Sequence, residues 1–484
     1  MGSSIFWYDF ETTGTVPSRD RPMQVAGLRT DLELQEIAPP LNLYCRLSDD
    51  ILPHPAACLV TGISPQRLQA EGLTEADFMG QLHQQLMVRQ TCVAGYNSLR
   101  FDDEVMRYSL YRNFFDPYTR EWQGDNSRWD LIDLVRSAYA MRPDGIHWPQ
   151  GEGGQVSLKL ELLTQANGLE HGHAHDALSD VRATIALARL LRARQGRLYD
   201  YYFSLRDKAQ VLAKVALLKP MVHVSGRYGA QRHYLSVVLP LAWHPINKNA
   251  LVVCDLQGDI DPLFEESTQT LQQRLYTRRD QLPEAVVPVP LKLIHINKVP
   301  MVAPLGVLRE ADCQRLAIDL AYCQAQAQRL RDSSAKWLNK VMEIYGTPWP
   351  APSDPEEQLY QGFLSQEDKR LCEQIRNLPA DKLAGNWPFT DARLPELLFR
   401  YRARNYPDSL TDEERQRWRG FCRQRLSLPE YAAPQTLEHF FAELNNLSAG
   451  LGDEQRQLLG QWAQYATELA GRYQCKPLAQ APSA

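Results

Sequence analysis

The sequence predicts a multidomain protein that begins with an α/β domain built on a mixed sheet, continues into a small bent β domain, and ends all-helical. Three observations lead there. Residues 1 to about 196 place strand-like runs first and then alternate helices with strands, the order of an α/β layer. From about 197 to 350, apolar β-rich runs are punctuated by Gly, Pro and Asn, as in a small, strongly bent sheet or barrel. Beyond that, long segments with helical spacing and no strand-like alternation fill residues 356 to about 474.

In chain order, "SIFWYDFET" is apolar on both faces of a strand, which marks a central strand covered on both sides. "MQVAGLRTD", "LNLYCRLS" and "TCVAGYN" are further strands, with a helix through "EADFMGQLHQQLM". "SLRFDDEVMRYSLYRNFF" reads as a helix with Asn97 as its N-cap and Phe101, Val105 and Tyr108 on its core face. "HDALSDVRATIALARLLRARQ" carries the apolar stripe Ala177, Val181, Ile185, Ala188 and Leu191, with Gly196 as its stop. Four strands follow, in "KPMVHVSG", "HYLSVVLPLAW", "NALVVCDL" and "VPLKLIHI", and then one helical segment, "EADCQRLAIDLAYCQAQAQRLRD". The expected boundaries are 1–196, 197–350, a Pro-rich linker at 351–355, a helical domain at 356–474, and a disordered tail at 475–484.

Size and composition narrow the class. At 484 residues the chain is too long for one core. It is 44% hydrophobic and 23% charged, with a net charge of −5, so bulk charge does not announce a nucleic-acid binder. No run approaches the ~18 apolar residues of a membrane span. The N-terminus lacks the pattern of a secretion signal, and Phe6 stands where a myristoylation signal needs Ser or Thr. The nine cysteines are scattered without a CxxC pair, which supports neither a disulfide framework nor a zinc site. A cytoplasmic protein is expected.

Chemistry concentrates in three places. The first strand ends in "YDFETTG", so Asp9 and Glu11 point the same way. Two adjacent carboxylates repel unless a proton or a metal lies between them. Asp102 follows in "NSLRFDD", where the helix-dipole role suits Asp103 and Glu104 better. In "HAHDALSD", His175 precedes the strong helix and Asp180 lies about one turn inside it; His171 and His173 compete for any histidine role.

The order DxE, NxxxFD and HxxxxD resembles the DEDDh exonuclease superfamily, the proofreading-like group on a ribonuclease-H-like sheet. "GYNSLRFDDEVMRYSLYRNFFDPY", "NSRWDLIDLVRSAYAMRP", "KPMVHVSG", "PLAWHP", "HINKVP" and "FRYRARNYP" extend the resemblance over nearly the whole chain, to the bacterial exonuclease I family. That resemblance implies an exonuclease domain, an SH3-like β-barrel domain and a helical C-terminal domain that together surround a single DNA strand. It implies a 3′→5′ exodeoxyribonuclease releasing 5′-mononucleotides from single-stranded DNA in repair and recombination. RNA 3′ ends, or an inactive DNA-end-binding scaffold, are the alternatives.

The implied cofactor is a pair of Mg²⁺ ions, with Mn²⁺ as a substitute, about 3.5–4 Å apart as in other two-metal sites. Asp9, Glu11 and Asp180 would hold the ion that carries the attacking water, Asp9 and Asp102 would hold the second, and His175 would be the general base. Glu11, Thr12, Thr13, Leu59, Thr61 and Ile63 occupy positions that approach the terminal nucleotide in related enzymes, although Leu59 and Ile63 read equally well as plain core. Arg400, Arg402 and Arg404, interleaved with aromatics, suit contact with a single strand or an ordinary solvated face. The family also implies docking of the acidic C-terminal tail of single-stranded-DNA-binding protein at Arg142, Tyr201, Arg309 and Arg331, and its shape implies a monomer.

Overall fold

In the computed structural model, which describes residues 2–170, 176–348, 350–431, 434–447 and 450–475, the opening apolar run forms β1 (Ser4–Thr12). β2 (Pro22–Thr30) pairs antiparallel with it, and β3 (Leu41–Tyr44) pairs antiparallel with β2. On the other side β4 (Thr91–Gly95) runs parallel to β1. With β5 (Ser127–Asp130) the order is β3-β2-β1-β4-β5, a mixed sheet with β1 at its centre. Centrality explains why β1 is apolar on both faces. Phe6, Tyr8 and Phe10 pack with Val25, Phe78, Met79, Leu82 and Met106 in one cluster, while Ile5 and Trp7 are fully buried on the opposite face. Gly27, opposite Tyr8, leaves room for the Phe6 ring, which would meet any side chain placed there.

The chain forms two compact units. One is made of residues 1–127, 171–182 and 351–484, the other of residues 128–170 and 183–350. In the first, the terminal stretch contributes helices Gln366–Asn377, Leu394–Asn405, Asp412–Ser427, Leu437–Leu447 and Asp453–Arg472. Met23, Leu52 and Ile63 from the start of the chain share a core with Phe399, Trp418, Phe440 and Trp462 from its end. Two short helices that the sequence reading did not anticipate, Pro55–Thr61 and Pro65–Glu71, each begin with a proline, and Gly62 separates them in a left-handed conformation, φ 65°. The proline-rich segment near 351–355 is anchored, since the Asp354 side chain caps the turn Pro355–Tyr360 and pairs with Arg400 at 2.7 Å.

The second unit holds an antiparallel sheet of β6 (Met221–Val224), β7 (Leu235–Trp243), β8 (Ala250–Asp255), β9 (Leu291–His295) and β10 (Met301–Pro304), ordered β10-β6-β7-β8-β9. Pro240, inside a central strand, sits where the β7–β8 register shifts, the place a sheet tolerates proline. The helical segment expected over 310–332 is two helices, Glu310–Arg315 and Leu320–Asp332, broken at Ala317 with φ 51°. Gly196 does not stop the helix Ala177–Arg194 at solvent; it opens another, Gly196–Ser204. Among the described residues no helix is long and apolar enough to cross a membrane. The expected tail, 475–484, falls outside the described residues apart from Cys475.

Candidate active site

The carboxylates gather where β1 outruns its neighbour. β4 pairs with β1 only as far as Trp7 opposite Ala94. At Gly95 the chain passes so near that an added Cβ would stand 2.8 Å from the Tyr8 carbonyl oxygen and from the Ser98 side chain. It then turns through Asn97, whose φ of 62° is left-handed, and the short 3-10 turn Ser98–Arg100. The α-helix starts only at Asp102. Asn97 is therefore not the N-cap of one long helix, and it makes no side-chain cap bond. Phe101 is half-buried at the junction rather than on the core face. This detour aims Asp102 back at β1, where its Oδ1 accepts a hydrogen bond from the Phe10 amide at 3.1 Å. The backbone donor that β4 leaves unpaired between Asp9 and Glu11 is thus satisfied by a third carboxylate. Asp103, expected to serve the helix dipole, instead lies buried against Arg120 at 2.5 Å and Arg107 at 3.7 Å.

The fourth acid comes from the helix Ala177–Arg194. Asp176 caps it, accepting from the Ser179 amide at 3.1 Å, and Asp180 lies one turn inside. Carboxylate oxygens of Asp9, Glu11 and Asp180 all come within 4.8 Å of one another. Burial first, then Asp102, Glu11 and Asp180, raises Asp9 well above the usual carboxylate range. Burial, with Asp180, Asp102 and Asp176 adding to it, pushes Glu11 up to about 8. Such a cage favours a bound cation over mutual repulsion, and an all-oxygen, all-carboxylate donor set suits a hard divalent ion. Asp176 escaped the sequence reading, although an Asp just ahead of an apolar-periodic helix is the ordinary mark of an N-cap. His175, with its competitors His171 and His173, lies outside the described residues.

The residues expected near a terminal nucleotide divide. Glu11 and Thr12 end β1, with the Thr12 hydroxyl donating to the Gly14 carbonyl at 2.7 Å. Thr13 is fully buried and its polar atoms are spent on structure: its hydroxyl donates to Asp20 at 2.7 Å and accepts from the Arg21 amide at 3.0 Å. Ile63 is a core residue, 2% exposed, just past the short helix Pro55–Thr61, on which Leu59 and Thr61 are half-buried. Arg400 and Arg402 are buried, and so is the side chain of Arg404, so none of the three forms a solvated face and their charges are spent on acids of this chain. Arg400 pairs with Asp354, Arg402 with Glu414 at 2.6 Å, and Arg404 with Asp50 at 2.8 Å and with Glu356. Their interleaving with aromatics was legible, but their acidic partners come from distant or neighbouring segments.

In the second unit, Arg309 holds Asp312 with two bonds of 2.8 Å and Arg142 reaches the same carboxylate at 3.2 Å. Tyr201 donates its hydroxyl to the Val302 carbonyl at 2.7 Å. Arg331 lines a cavity of about 830 Å³ together with Lys214, Lys219, Met221, Pro304 and Leu305.

Three family matches tile the chain: "Exonuclease" over residues 6–188, "Exonuclease I SH3-like domain" over 206–347 and "Exonuclease I C-terminal domain" over 353–469. It is 45% identical to the exodeoxyribonuclease I of Escherichia coli K12, across 96% of this chain and 98% of that protein. The chain belongs to the exodeoxyribonuclease I family. Another exodeoxyribonuclease I, from Haemophilus influenzae, is 42% identical across 97% of this chain and 99% of its own length. Among solved structures, exonuclease I from Methylocaldum szegediense superposes with a TM-score of 0.92 at 46% identity, covering 97% of this chain and 100% of that one. The zinc-bound form of an E. coli exonuclease I complex with single-stranded DNA superposes with the same score at 44% identity and the same coverage. The ribonuclease-H-like, SH3-like and helical architecture and the exonuclease class follow from this membership.

Proposed function

We propose that this chain is a metal-dependent 3′→5′ exodeoxyribonuclease that hydrolyses single-stranded DNA to 5′-mononucleotides and serves DNA repair and recombination. The observation that carries the reading is the cluster of Asp9, Glu11 and Asp180 at the end of the central strand, with Asp102 bonded to the strand between the first two. In our reading Asp9, Glu11 and Asp180 hold one Mg²⁺ and Asp9 and Asp102 hold a second, with Mn²⁺ able to substitute. Bound there, the cations supply positive charge to the scissile phosphate and to its attacking and leaving oxygens. His175 takes the proton of the attacking water, a task suited to a group that titrates near neutrality. Thr12, Leu59 and Thr61 contact the terminal nucleotide. The catalytic work belongs to residues 1–196, with 197–350 and 356–474 guiding the strand.

The test is digestion of 5′-labelled single-stranded DNA, duplex DNA and RNA, with Mg²⁺ and with EDTA, by the wild type and by Asp102→Ala. Single-stranded DNA is expected to shorten from its 3′ end, only with metal and only in the wild type. Shortening of RNA instead would reassign the substrate, and no shortening at all would leave an end-binding scaffold.

We further propose that the acidic tail of single-stranded-DNA-binding protein docks in the second unit. What supports this is the cavity that joins Arg331, Lys214 and Lys219 to the apolar Met221, Pro304 and Leu305, a lining suited to a peptide both acidic and apolar. Arg142 and Arg309 spend part of their charge on Asp312, so Arg331 is expected to matter most. Arg331→Ala should weaken a labelled tail peptide about tenfold in fluorescence anisotropy; unchanged affinity would move the site elsewhere. We also read the protein as cytoplasmic and monomeric: its nine cysteines are free thiols, most of them buried, as in a reducing compartment.

A further inference from the structure

The turn at Asp20–Arg21 and the later loop at His54 hold the chain immediately after Glu11. Thr13 is engaged at every polar atom. Its amide donates to the Arg21 carbonyl at 3.0 Å, its carbonyl accepts from the His54 amide at 2.8 Å, and its hydroxyl bonds Asp20 and the Arg21 amide. Gly14 has no room for a Cβ, which would collide with the side chains of Asp20 and His54. The β1–β2 register shifts between Glu11 and Thr12, so the geometry of this clamp, rather than a regular ladder, sets how β1 ends.

The clamp is anchored from the C-terminal helical stretch. The Arg21 guanidinium, 4% exposed, donates to Glu356 Oε2 at 2.7 Å and to the Arg19 carbonyl at 3.1 Å. Glu356, 2% exposed, is itself held by Arg404, which also binds Asp50. Beside it, Arg19 pairs with Glu357 at 2.8 Å. Arg425 belongs to the same buried network but on its Asp50 and Asp354 side, with no bond to the Thr13–Arg21 clamp.

We propose that Arg21 is a positioning residue for the hydrolysis. Gripped by Glu356, it fixes the clamp that places Glu11 against Asp9 and Asp180, and so it ties metal affinity to the C-terminal helices. This rests on the metal-dependent reading of the carboxylate site. Burying the Arg21 charge costs desolvation, which the Glu356 carboxylate offsets, and the Arg21 backbone bonds to Thr13, two residues beyond Glu11, carry its position to the ligands.

The test compares Arg21→Met, Arg21→Lys and Arg425→Met in the full chain. Thermal unfolding, the Mn²⁺ dissociation constant by calorimetry, and kcat and KM on single-stranded DNA are read for each. Arg21→Met is expected to weaken Mn²⁺ about tenfold and to lower kcat by about 10–100-fold with KM little changed, since small misplacement of reacting groups is that costly. Arg21→Lys, which keeps one bond to Glu356, should recover part of both. Arg425→Met should lose comparable stability while keeping wild-type Mn²⁺ affinity and kcat. Equal losses of affinity in Arg21→Met and Arg425→Met, or unchanged Mn²⁺ affinity in a folded Arg21→Met, would overturn the proposal. A wild type that binds no Mn²⁺ would instead defeat the metal-dependent reading itself.

Discussion

At the scale of single residues, Glu11 couples proton, metal and stability. Burial and three neighbouring acids raise it from its ordinary 4.5 to about 8, and Asp9 is raised in the same direction. The folded state then holds protons that the unfolded chain has released, so metal-free stability falls as pH rises between about 4.5 and 8. A divalent cation competes with those protons and removes the penalty. The melting temperature gained on adding Mg²⁺ is therefore expected to be larger at pH 8 than at pH 5, by several degrees in a calorimetric series. A gain independent of pH would mean that the carboxylates are not the metal's ligands. Asp9 and Glu11 were legible because a strand alternates with period two and nothing tertiary is needed to see that both acids face one way. The bonds of Thr13 to Asp20, Arg21 and His54 were not legible, because they depend on the turn ahead of β2 and on a later loop.

At the scale of elements, the site is made by a strand that ends early. The departure of β4 at Gly95 frees the Phe10 amide, and the turn through Asn97 brings Asp102 to it. Replacing Gly95 by Ala would push against the Tyr8 carbonyl and Ser98, costing about 1–3 kcal/mol as overpacking does and moving the Asp102 carboxylate off β1. A lower denaturant midpoint together with a fall in turnover larger than instability explains is the expected result; wild-type turnover would show that the turn absorbs the change. Strands and long helices were readable from periodicity. The break between Asn97 and Asp102 was not, because apolar spacing continues unbroken across a 3-10 turn and only the backbone conformation at Asn97 marks it. The arginines of the helix Leu394–Asn405 were visible as a basic run interleaved with aromatics, yet Asp50, Asp354, Glu356 and Glu414, which pair with them, come from other elements.

At the scale of the whole chain, residues 1–127 and 351–484 fold as parts of one unit, joined by charge as well as by apolar packing. Burial alone would raise Asp50 and Glu356, but the guanidiniums of Arg404, Arg425 and Arg21 at Asp50, and of Arg404, Arg21 and Arg400 at Glu356, outweigh it and hold both below the usual carboxylate range. Arg404→Met would leave those acids short of a partner and is expected to cost about 3–5 kcal/mol. Because both acids are depressed in the folded protein, that cost is fully present at pH 7 and shrinks as pH falls below about 4, where the unfolded chain takes up protons before the folded wild type does. Urea titrations at the two pH values would measure it, and an equal loss at both would assign the effect to packing. The same union governs how the protein is made. Trp462 donates to the carbonyl of Ile63 at 2.9 Å, and Arg472 reaches back to Asp49 at 2.7 Å, so the segment around residues 49–63 waits for partners encoded some four hundred codons later. Folding domain by domain during synthesis therefore cannot complete this unit until the helices after residue 351 have been translated.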